Sequence, residues 1–172
     1  MTVRQSRFEI GVLGIAVSAV MAALVCVATV LVQIPNPATR GYINIGDAMI
    51  FVSALTFGTF VGGIAGGVGS ALADIVSGYG LYAPFTLIVK GLEGVLVGLI
   101  ANRKSVTRDV LAVFIAGCEM VLGYFLIEFY LLQFGWAALT EVPGNIFQIV
   151  AGGVIGIPVA SVLRRRLPVA LK

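Results

Sequence analysis

Charged and amide side chains that interrupt long apolar segments are the residues of this chain best suited to do chemistry. Lys90 and Glu93 are three residues apart in one such segment, so a helix places them side by side on one face. A charge at membrane depth is costly and by default marks a functional site. The pair predicts either a self-neutralising ion pair or a pocket wall that offers a polar ligand one donor and one acceptor.

A second set of polar residues is expected at the same depth as Lys90. Asn145 and Gln148 are also three residues apart and lie within two turns of the start of the last apolar segment, and Glu128 lies close to the end of the segment before it. Lys90 lies roughly 9 Å into its own segment at 1.5 Å per residue. Lys90, Glu128, Asn145 and Gln148 therefore predict a polar site in the outer half of a membrane. Glu119, about 900° of helical rotation from Glu128, is expected to point away as a buried packing residue.

Aromatic and polar residues accumulate in the segments that would face the outside. Aromatic side chains at a membrane surface often form an interfacial belt. The alternative is a lid that stacks on a flat ligand and closes over it, helped by flexible glycines. The residues in question are Tyr42, Tyr79, Tyr82 and Trp136, with Asn44, Asp47 and Asp74 nearby.

The composition sets the class of protein that must position these side chains. Of 172 residues, 59% are hydrophobic and 11% charged, histidine is absent, and the mean hydropathy is +1.08. A soluble domain carries about 25% charged residues, so a soluble enzyme and a nucleic-acid-binding protein are excluded. No His/Cys cluster is available as a metal site, and Cys26 and Cys118 lie in apolar runs where a thiol acts as a small hydrophobe. The sequence predicts a small protein of the lipid bilayer.

Gaps between charged residues predict where the helices lie. No charge occurs between Glu9 and Arg40, between Asp47 and Asp74, or between Glu141 and Arg164, and a spanning helix needs about 20 apolar residues. The first run is too long for a signal peptide, whose apolar core has about 7–15 residues. We expect one domain, residues 1–172, with helices near 10–34, 47–60, 62–76, 84–101, 109–132 and 143–163 and a tight turn around Thr59–Gly63.

Positive charge predicts the topology. Nine of the eleven Lys and Arg residues fall within residues 4–7, 103–108 and 164–172. The positive-inside rule places these three segments on the cytoplasmic side, so residues 48–101 must cross the membrane an odd number of times. The predicted fold is an all-α integral membrane protein with six transmembrane helices and cytoplasmic N- and C-termini.

Small residues on the first helix suggest a packing surface. Ala19 and Ala23 form a small-xxx-small pair, and Ala16 lies one turn earlier. Such pairs let helices approach closely inside a membrane. The stripe serves either internal packing or docking to another membrane protein.

Three motifs resemble those of a known family. They are Gly41-Tyr-Ile-Asn-Ile-Gly-Asp47, Gly66-Gly-Val-Gly-Ser-Ala-Leu-Ala-Asp74 and Tyr82-Ala-Pro-Phe-Thr-Leu-Ile-Val-Lys-Gly-Leu-Glu-Gly94. With the Pro143-Gly-Asn145-x-x-Gln148 start of the last helix, they resemble the substrate-binding S components of energy-coupling factor (ECF) vitamin transporters, in the riboflavin-type group. The resemblance covers nearly the whole chain.

The resemblance implies a function that composition does not show. It implies a prokaryotic plasma-membrane protein that binds one small heteroaromatic vitamin or precursor in a pocket capped by outer loops. It also implies a transmembrane coupling protein and two cytoplasmic ATPases as partners, no cofactor in this chain, and toppling in the membrane to release the substrate. The family's Ala-x-x-x-Ala docking signature has its nearest match at Ala19 and Ala23, with Ala16 as a shifted register.

Two other functions remain open on the residues alone. One is a small intramembrane enzyme that uses Glu93, Glu128 or Asp74 as acid or base. The other is a channel-like or structural membrane protein. An enzyme needs an acid and a base within hydrogen-bond reach of its substrate, and the sequence offers one such close pair, Lys90 and Glu93, with no nucleophile in a known motif.

Overall fold

The computed structural model describes residues 11–167. In that range the chain forms six α-helices and one antiparallel β-hairpin. The bounds are α1 Val12–Leu31, β1 Gln33–Asn36, β2 Gly41–Asn44, α2 Asp47–Phe57, α3 Thr59–Val76, α4 Ala83–Ile100, α5 Val106–Leu126 and α6 Val142–Arg166. Five helical segments are long and apolar enough to cross a membrane. The all-α membrane fold is confirmed.

The short helix α2 lies at the centre of the bundle. It has 11 residues, which at 1.5 Å per residue is about 16 Å and about half a bilayer core. Nearly all of its side chains are buried, with Ile50 and Phe51 in the hydrophobic core. Because neighbouring helices cover α2 on all sides, the irregular backbone at its start is surrounded by protein, as a membrane interior requires.

The β-hairpin occupies the outer half of the molecule above α2. Helix α1 ends at Leu31, so the prediction that it continues to residue 34 is wrong. The hairpin takes up the end of that predicted helix and most of the gap before the next predicted helix at residue 47. Val32 and Ile34 are apolar, and hydropathy alone does not separate a short strand from the end of a helix. The turn is set by the Asn36 side chain, which accepts a hydrogen bond from the Ala38 amide at 3.0 Å.

The junction between α2 and α3 is a single residue. Gly58 has a φ of 91°, in the region that favours glycine, and α3 begins at Thr59. The predicted turn over Thr59–Gly63 is therefore wrong, because those residues form the first turn of α3. The glycines that suggested it serve helix packing instead: a Cβ on Gly62 would lie 2.7 Å from the Gly94 carbonyl oxygen of α4.

Glycine packing between α3 and α4 places Lys90. A Cβ on Gly67 would lie 2.7 Å from the Leu87 carbonyl oxygen, and one on Gly66 would meet the Lys90 carbonyl. These close approaches leave no room for side chains between the two backbones. The backbone of Lys90 is thereby fixed against α3.

Two arginines bind the far end of α2. Arg103 donates to the Thr56 carbonyl at 2.9 Å, and Arg164 donates to the Leu55 carbonyl at 2.7 Å and to Asp109 at 2.7 Å. The basic segments 103–108 and 164–166 thus share one end of the bundle, opposite the hairpin. Three more basic residues that are expected at this end, Arg4, Arg7 and Lys172, lie outside the described residues. The cytoplasmic location of this end stays a prediction.

Candidate ligand-binding site

A polar cavity lies beneath the hairpin at the end of the bundle opposite the arginines. The space between its walls, including the part that opens to solvent, is about 450 Å³. Every helix except α2 contributes side chains to it, together with strand β2 and the loops that precede α4 and α6. The lining residues are Thr29, Gly41, Tyr42, Asn44, Ser70, Asp74, Tyr82, Thr86, Lys90, Tyr124, Glu128, Glu141, Asn145 and Gln148.

Lys90 lies in the cavity wall and is held by two carboxylates. Its ammonium nitrogen is 2.5 Å from Asp47 Oδ1 and 3.0 Å from Glu93 Oε2. All three side chains are almost fully buried, and Asp47 begins α2, where the helix dipole favours a negative charge. Helical spacing predicts the contact of Lys90 with Glu93. It does not predict the contact with Asp47, because Asp47 is 43 residues away from Lys90 in the sequence.

The amides of α6 join the hairpin to the cavity. Gln148 Nε2 donates to Asn145 Oδ1 at 2.9 Å, and Gln148 Oε1 accepts from the Asn44 backbone amide at 3.2 Å. Both side chains are buried. Asn145 Oδ1 accepts the hydrogen bond from Gln148, and the Asn145 side-chain nitrogen is therefore available to donate to a ligand.

A π-helical turn positions Glu128. The turn, Ile127–Leu131, follows α5 directly and widens the helix just where Glu128 meets the cavity. Glu128 is 2% exposed, and its Oε2 accepts no hydrogen bond from the described protein groups. Its Oε1 lies 3.3 Å from the Tyr82 hydroxyl, which also lies 2.8 Å from the Thr39 carbonyl oxygen. Tyr82 has one hydroxyl proton, which favours the shorter contact with the Thr39 carbonyl. The Glu128 carboxylate therefore has few hydrogen-bond donors among the described protein groups.

Asp74 faces the cavity from the outer end of α3. It accepts a hydrogen bond from the Tyr42 hydroxyl at 2.6 Å, while its Oδ2 has no partner among the described protein groups. Burial raises the pKa of Tyr42, and also that of Tyr82, well above its ordinary value. Both hydroxyls therefore stay protonated and act as donors.

The hairpin is fastened over the cavity by side chains from three other elements. Thr39 hydrogen-bonds to Glu141 at the start of α6, and Tyr82 at the start of α4 donates to the Thr39 carbonyl. A Cβ at position 41 would lie 2.6 Å from Glu141 Oε1, so a side chain there would push this carboxylate away from Thr39. These contacts hold the hairpin over the cavity.

The structure brings together most of the predicted substrate-binding residues. Seven of them line the cavity: Asn44, Asp74, Tyr82, Lys90, Glu128, Asn145 and Gln148. Glu93 lies behind Lys90, and Tyr79 packs its ring 4.4 Å from that of Tyr42. Trp136 is 73% exposed and packs edge-on against Phe129, apart from the cavity.

Five lining side chains were missed by the sequence analysis. Thr29, Ser70, Thr86, Tyr124 and Glu141 come from five different segments of the chain. Small hydroxyl residues are common in membrane helices, where they also bond to backbone carbonyls, so their type alone does not mark a site. Glu119 does not line the cavity, as its opposition to Glu128 predicted, but it is half-buried and not buried as expected.

The small-residue stripe of α1 faces away from the bundle. Ala16, Ala19 and Ala23 are exposed, whereas Ala22 and Val25 on the opposite side of the helix are buried. Gly69 of α3 packs against that buried side, at 2.5 Å from a built Cβ to the Ala22 carbonyl oxygen. Packing among residues 11–167 therefore does not account for the stripe.

Comparison with known proteins gives one family and several relatives. A family model described as "ECF-type riboflavin transporter, S component" matches residues 10–165. An uncharacterized protein of Pyrococcus woesei is 45% identical over 83% of this chain and 96% of its own length. The thiamine precursor transporter HmpT of Lactococcus lactis is 30% identical over 86% of this chain and 85% of its own length.

Proposed function

This chain belongs to the family of S components of ECF-type riboflavin transporters, and we propose that it captures a flat heteroaromatic vitamin or vitamin precursor in the cavity beneath its hairpin. It is a transporter subunit of the prokaryotic plasma membrane, with several membrane-spanning helices, and not an enzyme. The observation that carries the proposal is the convergence of seven predicted polar residues on one cavity.

The lining suits a flat ring with polar substituents. Tyr42, Tyr82 and Tyr124 supply aromatic surface, and the Asn145 and Gln148 amides supply oriented hydrogen-bonding groups. A few placed polar groups among aromatic walls are typical of small-molecule sites. Riboflavin, named by the family, and the thiamine precursor of the Lactococcus relative both belong to this heteroaromatic class.

The predicted residues take different places in this proposal. Asn145 and Gln148 contact the ligand directly, Lys90 is oriented by Glu93 and Asp47, and Asn44 and Tyr82 close the lid. Tyr79 supports the Tyr42 ring from outside. Trp136 stays outside the proposed contact set, because it packs against Phe129.

We further propose that α1 docks to a transmembrane coupling protein that works with two cytoplasmic ATPases. The exposed face with Ala16, Ala19 and Ala23 lets a partner helix approach closely. ATP is then used in the partner subunits, and this chain needs neither a cofactor nor nucleic acid.

The binding site is tested by titrating purified variants with candidate vitamins. Asn145→Ala and Gln148→Ala remove hydrogen-bonding groups without leaving a charge unpaired, so each should cost about 1–3 kcal/mol, or about 5- to 150-fold in Kd. Asn102→Ala, in the loop at the opposite end, is the matched control and should bind like the parent. If both α6 variants also bind like the parent, α6 is not part of the site.

Docking is tested separately by uptake in cells that hold the coupling proteins. Ala19→Leu and Ala23→Leu should abolish uptake and leave ligand affinity unchanged, because the stripe lies outside the cavity. Val154→Leu adds bulk at a lipid-exposed position of α6 and should transport normally. Normal uptake by both alanine variants would show that this face does not dock.

A further inference from the structure

We infer that the cavity selects a ligand that presents a positively charged nitrogen, and that it rejects anionic forms such as phosphate esters. This inference rests on the proposed function and specifies the substrate class of the same site. Within residues 11–167, five of the seven acidic residues lie in the cavity wall or directly behind it, against one of the eight basic residues. The acidic residues are Asp47, Asp74, Glu93, Glu128 and Glu141.

The single basic residue of the wall is already neutralised. Lys90 contacts both Asp47 and Glu93, so this buried triad carries one excess negative charge in its ionised form. An anionic ligand group would have to compete with two carboxylates for one ammonium. Lys90 therefore does not provide an anion site.

The remaining carboxylates need donors that the protein does not supply. Glu128 Oε2 and Asp74 Oδ2 are buried, in residues 2% and 3% exposed, and neither has a partner among the described protein groups. Both residues line the cavity. A buried carboxylate is costly unless it is paired with a charge or with strong donors, and a cationic nitrogen of the ligand would satisfy both needs.

The surroundings favour an organic cation. Three tyrosines line the same space, and aromatic faces attract cations within about 6 Å. Among the residues that the structure describes, no three Asp, Glu, Cys or His side chains converge as ligands of one metal ion. The carboxylates are spread around the cavity wall. This arrangement suits a ligand ring that carries charged and hydrogen-bond-donating groups at separate positions.

Selectivity for charge is tested with ligands that share one ring and differ in one substituent. The pyridine series is pyridoxamine, pyridoxine and pyridoxine 5′-phosphate. The pyrimidine series is 2-methyl-4-aminopyrimidine with aminomethyl, hydroxymethyl or phosphooxymethyl at position 5. Riboflavin and riboflavin 5′-phosphate complete the panel. In whichever series binds, we expect the amine to bind at least about tenfold more tightly than the alcohol, and the phosphate to bind most weakly.

Isosteric variants separate charge from shape. Glu128→Gln and Asp74→Asn should each reduce the preference for the amine about tenfold and relax the rejection of the phosphate. Glu119→Gln removes a carboxylate from α5 that does not line the cavity, and it should keep the parent preference. Equal thermal unfolding midpoints of the four proteins would confirm that all are folded.

The outcomes distinguish this inference from the function on which it rests. Tight binding of riboflavin, an alcohol or a phosphate in preference to every amine would overturn the charge selectivity and leave the transporter function standing. An amine preference that survives both cavity variants would also overturn it, because shape would then be the cause. If no member binds and cells take up none of them, the proposed heteroaromatic site fails together with the inference.

Discussion

Buried charges occur at both ends of this bundle, and the two groups differ in how fully they are satisfied. The inner cluster is Asp109 with Arg164, and the exposed Arg103 lies beside it. There Arg164 binds both oxygens of Asp109, at 2.7 and 3.3 Å, and also the Leu55 carbonyl. The outer cluster is Lys90 with Asp47, Glu93, Asp74 and Glu128, and each of its four carboxylates has one oxygen without a protein partner.

The difference separates charges that hold the fold from charges that await a ligand. A bidentate arginine–carboxylate pair satisfies both groups and fixes their geometry, so the inner cluster joins α2, α5 and α6 and needs nothing more. Buried polar groups without partners call for an explanation, and a ligand-binding role is one. The unpaired oxygens of the outer cluster line or adjoin the cavity, whereas those of Asp109 are paired.

The largest effect is expected from breaking the outer cluster at its centre. Lys90→Met leaves Asp47 and Glu93 buried without their cation, which should cost about 3–5 kcal/mol of unfolding free energy and abolish ligand binding. Chemical unfolding in detergent measures the first effect and titration the second. Lys104→Met, an exposed change at the other end, should behave like the parent. A fully stable Lys90→Met would mean that the two carboxyls do not depend on the lysine.

Breaking the inner cluster should lower the free energy of unfolding and leave the ligand-binding site unchanged. Asp109→Asn leaves Arg164 with its carbonyl contact but without a charged partner, and we expect a loss of about 2–4 kcal/mol, since the Arg164 side chain is 9% exposed. Ligand affinity of the folded protein should stay within about twofold of the parent. The exposed Arg165→Gln is the control. A selective loss of affinity in Asp109→Asn would contradict the division of roles between the clusters.

The smallest effect is expected at the lid. Tyr82→Phe removes the hydrogen bond to the Thr39 carbonyl and should weaken ligand binding about fivefold, equivalent to about 1 kcal/mol, mainly through faster dissociation. Stopped-flow measurements of ligand release test this directly. Tyr130→Phe removes a hydroxyl from a residue that is 66% exposed and should release the ligand at the parent rate. Identical release rates for both variants would show that Tyr82 does not hold the lid.

Local spacing predicted much of the site, and long-range contacts supplied the rest. The i, i+3 pairs Lys90–Glu93 and Asn145–Gln148 were predictable because a helix fixes which neighbours share a face. The Asp47–Lys90 contact was not predictable, because it depends on how α2 packs against α4. Thr29 and Tyr124 reach the cavity only through the packing of α1 against α3 and of α5 against α4.

The sequence by itself determined the membrane environment and the six helices, since charge gaps and apolar length are properties of the chain alone. Tertiary structure decided where α1 gives way to a hairpin, that Gly58 alone separates α2 from α3, and that Ala16, Ala19 and Ala23 face outward. It also decided which carboxylates find partners, because a hydrogen bond between residues far apart in sequence exists only when packing brings a donor within about 3 Å of an acceptor.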